Sequence, residues 1–270
     1  MFNFDFYNPT HIVFGKNRLS ELNALVPKDA KVLITYGGGS AVHSGLIDRI
    51  VKALGNRKVE QFGGIEPNPS LETCERAVAF IKEHGVDFVL AVGGGSVVDA
   101  TKLIVMGATY DGPVIEVMKA GVPAVPVEMV PNPLPFGTVM TLPATGSEMN
   151  NGAVITYGDG KYPVFSSLVF PKFSMLDPTL TFTLPEKQVK NGVIDTFVHT
   201  TEQYLTYPVD GRIQDRFSEG ILKTMIEIGK ETIENPENYD VRANHVWAST
   251  LALNGLIGAG VPQDWATHLI

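Results

Sequence analysis

The chain has 270 residues, 44% hydrophobic and 19% charged, with a formal net charge of -8 at pH 7. This composition can bury a core and is not that of a disordered segment. Its acidic balance repels phosphate backbones and so disfavours a nucleic-acid partner.

The N-terminal stretch MFNFDFYNPT carries acid and no basic segment, unlike a signal peptide. Lys31 to Tyr36 reads as a buried strand running into Gly37, Gly38, Gly39 and Ser40. A helix is expected over about 42–54 and a short strand over 58–62. Ser70 is placed to cap a helix whose apolar positions 71, 74, 77, 78 and 81 share one face, with Gly85 where a closing glycine belongs. The only cysteine, Cys74, lies on that face, so it reads as core and not as a reactive thiol. A lone cysteine excludes an internal disulfide and fits a reducing cytoplasm.

Val86 to Val92 is another apolar strand, again followed by three glycines and a serine at 93–96, with a helix expected from about Val97. Such alternation predicts a parallel sheet covered by helices. Residues 111–137 are rich in Pro and Gly with weak periodicity, so a connector is expected, with a short strand near 125–129. Residues 138–142 and 174–176 read as further strands. From Leu184 the pattern turns helical, with helices expected over about 186–205, 210–232 and 238–256. Another helix is expected to open at Val261-Pro262-Gln263-Asp264, with Asp264 at its positive end. The domain boundary falls near residue 183, giving an α/β domain over 1–183 and a helical domain over 184–270. The final pattern halts at Leu269-Ile270 without a capping glycine or polar tail, which reads as an element cut short. No run of about 18 apolar residues occurs, so no membrane span is expected.

Two strand–Gly-Gly-Gly-Ser units point to a nucleotide. Ligands of open parallel sheets bind at the carboxyl ends of the strands, where glycines let the backbone approach a phosphate and helix N–H groups meet its charge. Ser96 can add a hydroxyl, and Asp99 can hold the loop in shape. Neither an NTPase P-loop nor a G-x-G-x-x-G fingerprint is present. The stretch Thr141 to Asn150 offers hydroxyl and amide partners to a ribose or a ring amide, and equally reads as an ordinary polar turn. Asp195 and His199, at i and i+4, share a helix face that Asn191 and Glu202 extend. A carboxylate and an imidazole so placed suit Zn²⁺ or Fe²⁺, although such a pair alone also reads as solvent-facing. His268 is a candidate third ligand. His11, His43, His84 and His245 have no partner pattern and read as surface or loop residues.

Taken in order, NPTHIVFGK, ITYGGGS, FGGIEPNP, AVGGGSVVDATK, TLPATGSEMN, NGVIDTFVHTTEQY, ENYDVRAN and GLIGAGVPQDWATH span the chain. Together they resemble the iron-containing alcohol dehydrogenase family, and within it the butanol dehydrogenase-like, NADPH-dependent aldehyde reductases. The resemblance implies an N-terminal dinucleotide-binding α/β domain of the dehydroquinate synthase-like kind, an all-α C-terminal domain, and an active site in the cleft between them. It implies that Gly94, Gly95 and Ser96 hold the pyrophosphate with Asp99 in support, and that Asn68, Thr141, Leu142, Thr145, Asn150 and Lys161 lie near the cofactor. Asp195, His199 and His268 match three of four metal ligands. The fourth ligand, a histidine, and a second histidine thought to relay protons are expected beyond residue 270, so the helical domain and its site are expected to be incomplete.

The implied reaction interconverts small aldehydes and primary alcohols with a divalent metal, Fe²⁺ or Zn²⁺, in a cytoplasmic homodimer. An NAD site usually sets an acid against the ribose 2′-hydroxyl. The loop Gly37, Gly38, Gly39, Ser40 has none, and Ser40 can hydrogen-bond a 2′-phosphate, so NADP(H) is expected over NAD(H). Two rival readings are a catalytically incomplete nucleotide-binding fragment and a dehydroquinate synthase-like lyase. The neutral character of 141–150, apart from Glu148, disfavours a phosphorylated lyase substrate.

Overall fold

The computed structural model describes residues 1–120, 130 and 132–269. They form two compact units, one of Pro9–Thr141 with Asn151–Leu176, the other of Met1–Asn8, Leu142–Asn150 and the chain from Asp177 onward.

The first unit is α/β. Its elements are β1 (His11–Phe14), α1 (Leu22–Leu25), β2 (Lys31–Tyr36), α2 (Ser40–His43), α3 (Leu46–Leu54), β3 (Lys58–Phe62), α4 (Leu71–His84), β4 (Phe88–Gly93), α5 (Gly95–Thr109), α6 (Val114–Ala120), β5 (Phe136–Met140), β6 (Gly152–Tyr157), β7 (Gly160–Phe165) and β8 (Phe173–Leu176). Among the described residues six strands form one parallel sheet in the order β1-β8-β5-β4-β2-β3, and β6 and β7 form a separate antiparallel hairpin. Strand β4 is buried along its length, as an apolar run covered on both faces must be. The core joins α4, α5 and α6 to β4 and the hairpin; Cys74 lies in it, fully buried, and burial pushes its thiol pKa up. Ser70 caps α4 by accepting the Thr73 N–H, and Gly85 closes that helix in the left-handed region.

Several local expectations are corrected. The helix expected over 42–54 is two helices, because Gly45 at φ +70° breaks the run between α2 and α3. Helix α5 starts at Gly95, two residues before the expected Val97. The connector expected at 111–137 contains α6, whose Val114, Val117 and Met118 pack into the core. The strand expected near 125–129 lies outside the described residues. The strand expected at 138–142 is β5, two residues earlier. The sequence reading also passed over β1 and the β6–β7 hairpin.

The second unit is helical: α7 (Glu186–Tyr204), α8 (Arg212–Ile228), α9 (Glu231–Glu234) and α10 (Tyr239–Ala252). Segments 1–8 and 142–150 belong with these helices, although both precede the boundary expected near 183. Asn8 donates from Nδ2 to the carbonyls of Met149 and Asn254. Thr250 on α10 donates to the buried carboxylate of Glu148 at 2.5 Å. No helix opens at 261–264. There the Asp264 N–H donates to the Glu202 carbonyl and the Asp264 carboxylate accepts the Ala266 N–H, so only a 3₁₀ turn forms, at Thr267–Leu269. Among the described residues no helix is long and apolar enough to cross a membrane.

Candidate functional site

Helix α7 carries the chemistry of the helical unit, and its neighbours fix where it lies. Gly192 lets it approach the loop before it: a side chain there would begin 2.2 Å from the Pro143 carbonyl oxygen. Thr196 meets Ser249 of α10 at 2.6 Å, hydroxyl to hydroxyl. Gln203 donates from Nε2 to the carbonyls of His199 and Ala252, at 2.7 and 2.8 Å. The face bearing Asp195, His199 and Glu202 then meets the segment 264–268.

The structure brings Asp195, His199 and His268 together, one ligand atom of each lying within 4.8 Å of the others. Asp195 Oδ1 is 3.8 Å from His199 Nε2 and 3.6 Å from His268 Nε2. Two metal–ligand bonds of about 2.1 Å at a tetrahedral angle would set their donor atoms roughly 3.4 Å apart. The donor set, two imidazole nitrogens and a carboxylate oxygen, suits Zn²⁺ or Fe²⁺. His199 is buried. The Trp265 ring stands edge-on to both imidazoles, with centroids 6.2 and 5.6 Å away. An open pocket of about 390 Å³ borders the cluster, lined in part by Leu142, Ala144, Asn191, Asp195, Thr267 and His268.

Burial lowers the pKa of His199, against the opposing charge of Asp195. Hydrogen bonding to Asp195 raises that of His268, burial opposes it, and Glu202 adds to the rise. For Glu202 burial works upward, yet hydrogen bonds from His268 and Thr267 outweigh it and hold the carboxyl below its usual range.

The second constellation lies in the α/β unit, at the carboxyl ends of β2 and β4. Gly94 is the N-cap of α5, and Gly95 and Ser96 form its first turn. A free helix N-terminus beside glycines is a site for an anion. Ser96 Oγ accepts the N–H of Asn68, an exposed residue at φ +55°. The Asn68 carbonyl accepts from Thr156 Oγ1. Thr156 pairs with the exposed Lys161 across the hairpin. Asn68, Ser96 and Lys161, distant in sequence, are thus linked through Thr156, which the sequence reading did not single out. Asp99 accepts the Val154 N–H at 2.9 Å and so ties α5 to β6. Gly37 and Gly38 follow β2, and Ser40 is exposed at the start of α2. The Thr141 N–H donates to the Gly93 carbonyl at 3.0 Å.

In the loop after Thr141, Leu142 lines the pocket, and Thr145 accepts the Ser147 N–H. Asn150 donates from Nδ2 to the carbonyls of Gly146 and Leu253. Much of the loop's polarity therefore anchors it to α10.

The remaining histidines divide. His11 and His43 are exposed and His84 is half-buried. His245 corrects the expectation of a surface residue: it is fully buried in mid-α10. The sequence reading noted Glu202 only as part of the stripe, yet it contacts both Thr267 and His268. Its signal was the i+7 spacing from Asp195.

Residues 9–178 match the iron-containing alcohol dehydrogenase family, and residues 189–270 match the C-terminal part of the Fe-containing alcohol dehydrogenase family. The whole chain is 54% identical to 70% of the NADPH-dependent aldehyde reductase YqhD of Escherichia coli K12. It is 44% identical to 70% of a probable NADH-dependent butanol dehydrogenase of Bacillus subtilis. The crystal structure of E. coli YqhD superposes with a TM-score of 0.95 over 100% of this chain and 69% of that one. The sheet, the helical unit and the matches along both agree, and the chain belongs to the iron-containing alcohol dehydrogenase family.

Proposed function

We propose that this protein is a metal-dependent, NADP(H)-linked oxidoreductase that interconverts aldehydes and primary alcohols. The observation that carries the reading is the convergence of Asp195, His199 and His268 beside an open pocket. In this reading those three residues hold the ion. When bound, a divalent ion supplies Lewis-acid polarisation of a carbonyl oxygen, and the reduced nicotinamide supplies the hydride. The chain's own residues bind and orient. Leu142 and Ala144 give the pocket an apolar wall for an alkyl chain, and Asn191 offers it an amide. The α/β unit holds the dinucleotide. Gly94, Gly95 and Ser96 receive its phosphates at the start of α5, while Asn68, Thr141 and Lys161 flank it and Asp99 braces α5. Gly37, Gly38 and Ser40 leave room for a 2′-phosphate.

The relatives carry names of both cofactor types, NADPH for one and NADH for the other. The absence of an acid in 37–40 supports NADPH here. We place the enzyme in the cytoplasm as a homodimer, by resemblance to the family. The test is butanal-dependent oxidation of NADPH or NADH, with Fe²⁺ or Zn²⁺ added. The reading predicts turnover with added metal and a higher kcat/KM for NADPH. Failure of any divalent metal to support NADPH oxidation would overturn it.

A further inference from the structure

Glu202 lies one turn beyond His199 on α7, outside the donor set, with its side chain 8% exposed. Three of its oxygens are engaged by the segment that carries His268. Its carbonyl accepts the Asp264 N–H, Oε1 accepts the Thr267 N–H, and Oε2 meets His268 Nδ1. An ionised carboxylate has no hydrogen to donate and can only accept. His268 Nδ1 must therefore carry the proton in that contact. In the neutral ring this leaves the lone pair on Nε2, the nitrogen 3.6 Å from Asp195 Oδ1. Carboxylates that fix the tautomer and angle of a ligating imidazole are a recurrent feature of metal sites.

We propose that Glu202 is a positioning residue, which locks His268 as the Nδ1–H tautomer so that Nε2 is free to ligate a divalent ion. This rests on the metal reading of Asp195, His199 and His268. It assigns Glu202 a role that a merely structural clamp would not have, since a clamp needs only the two backbone N–H contacts. Glu202→Gln separates the two. The amide oxygen can still accept the Thr267 N–H, and the backbone carbonyl still holds Asp264. The amide –NH₂ then faces Nδ1, makes it an acceptor, and shifts the proton to Nε2, where it blocks ligation.

The experiment uses the full chain. Nitrogen-15 NMR of the histidine rings, without metal and at a pH where they are neutral, reads the tautomer directly, with His268→Gln to assign the resonance. The expected result is Nδ1–H in the unaltered chain and Nε2–H in Glu202→Gln. Titration with Zn²⁺ alone, against a competing chelator, should show binding about 10–100-fold weaker in Glu202→Gln. An Nε2–H tautomer in the unaltered chain would overturn the proposal without any variant, so a failure of Glu202→Gln to fold does not shelter it. Equal Zn²⁺ affinity in a folded Glu202→Gln would overturn it too. Should the unaltered chain bind no divalent metal at all, the metal reading itself fails, while the NMR result still decides whether Glu202 sets the tautomer.

Discussion

The imidazole rings of His199 and His268 stack, with centroids 4.5 Å apart and planes within 13° of parallel. One ring comes from the middle of α7 and the other from a 3₁₀ turn 69 residues later in the chain. An ion held by both would join these segments, so ligand loss should register in stability as well as in binding. The unaltered chain should gain roughly 2.7 kcal/mol at a Zn²⁺ concentration about 100 times Kd. His199→Ala and His268→Ala should each lose most of that gain. Thermal unfolding with and without Zn²⁺ measures it, and equal gains in all three chains would remove both histidines from the ligand set.

Gly192 is held to glycine by the Pro143 carbonyl. A β-carbon placed 2.2 Å from that oxygen cannot be accommodated without moving α7 or the loop. Gly192→Ala gains up to about 1 kcal/mol of helix propensity, but the overlap costs more, typically ~1–3 kcal/mol for overpacking. A net loss of stability is expected. The denaturant midpoint should fall with the slope unchanged, whereas a rise in midpoint would show that the contact yields freely.

His245 makes the fold sensitive to acid. Burial, with Arg242 adding to it, lowers its pKa from 6.5 to about 4. The unfolded chain takes up a proton at this residue near pH 6.5, and the folded chain does so only near pH 4. Between those values the unfolded state binds more protons, so stability falls as the pH drops and is restored above the upper value. The full contribution is about 3 kcal/mol. His245→Leu should flatten the stability profile across this window. Urea denaturation at pH 7 and pH 5 reads the difference.

Gly38 offers a direct handle on the cofactor. A β-carbon there meets nothing within 4 Å, so the position has room for a side chain. Gly38→Asp should repel a 2′-phosphate and accept a hydrogen bond from a 2′-hydroxyl. Binding of NADPH should weaken tenfold or more relative to NADH. Fluorescence titration with the two reduced cofactors measures it, and an unchanged ratio would detach this loop from cofactor choice.

Where periodicity was long or capped, the sequence was an adequate guide. Ser70 and Gly85 marked α4, and the apolar runs marked β2 and β4, because each depends on contacts within one element. Asp195 and His199 were legible as a stripe for the same reason. What escaped was short or set by distant partners. Helix α6 has seven residues, and its apolar positions 114, 117 and 118 follow helical spacing too briefly to stand out among Pro and Gly. The β6–β7 hairpin turns through Gly158 at φ +56° and Asp159, a turn signal that the sequence reading passed over. The segment after Val261 has the pattern of a helix start, but Glu202 takes two of its N–H groups, at 264 and 267. No local pattern shows a competitor more than sixty residues away. His245 reads as any polar residue on α10 until the packing around that helix is known.

The sheet order places β1 beside β8, with His11–Phe14 paired to Phe173–Leu176. During synthesis, β1 leaves the ribosome first in this unit, yet among the described residues its only strand partner is β8, the last of these strands to be made. At ~5–20 residues per second the wait is roughly 10–30 s. Through that interval β2, β3, β4 and β5 can already pair among themselves, leaving β1 as an unsatisfied edge on a tether. The closing of β1 onto β8 then marks the point at which the α/β unit is sealed in the cell.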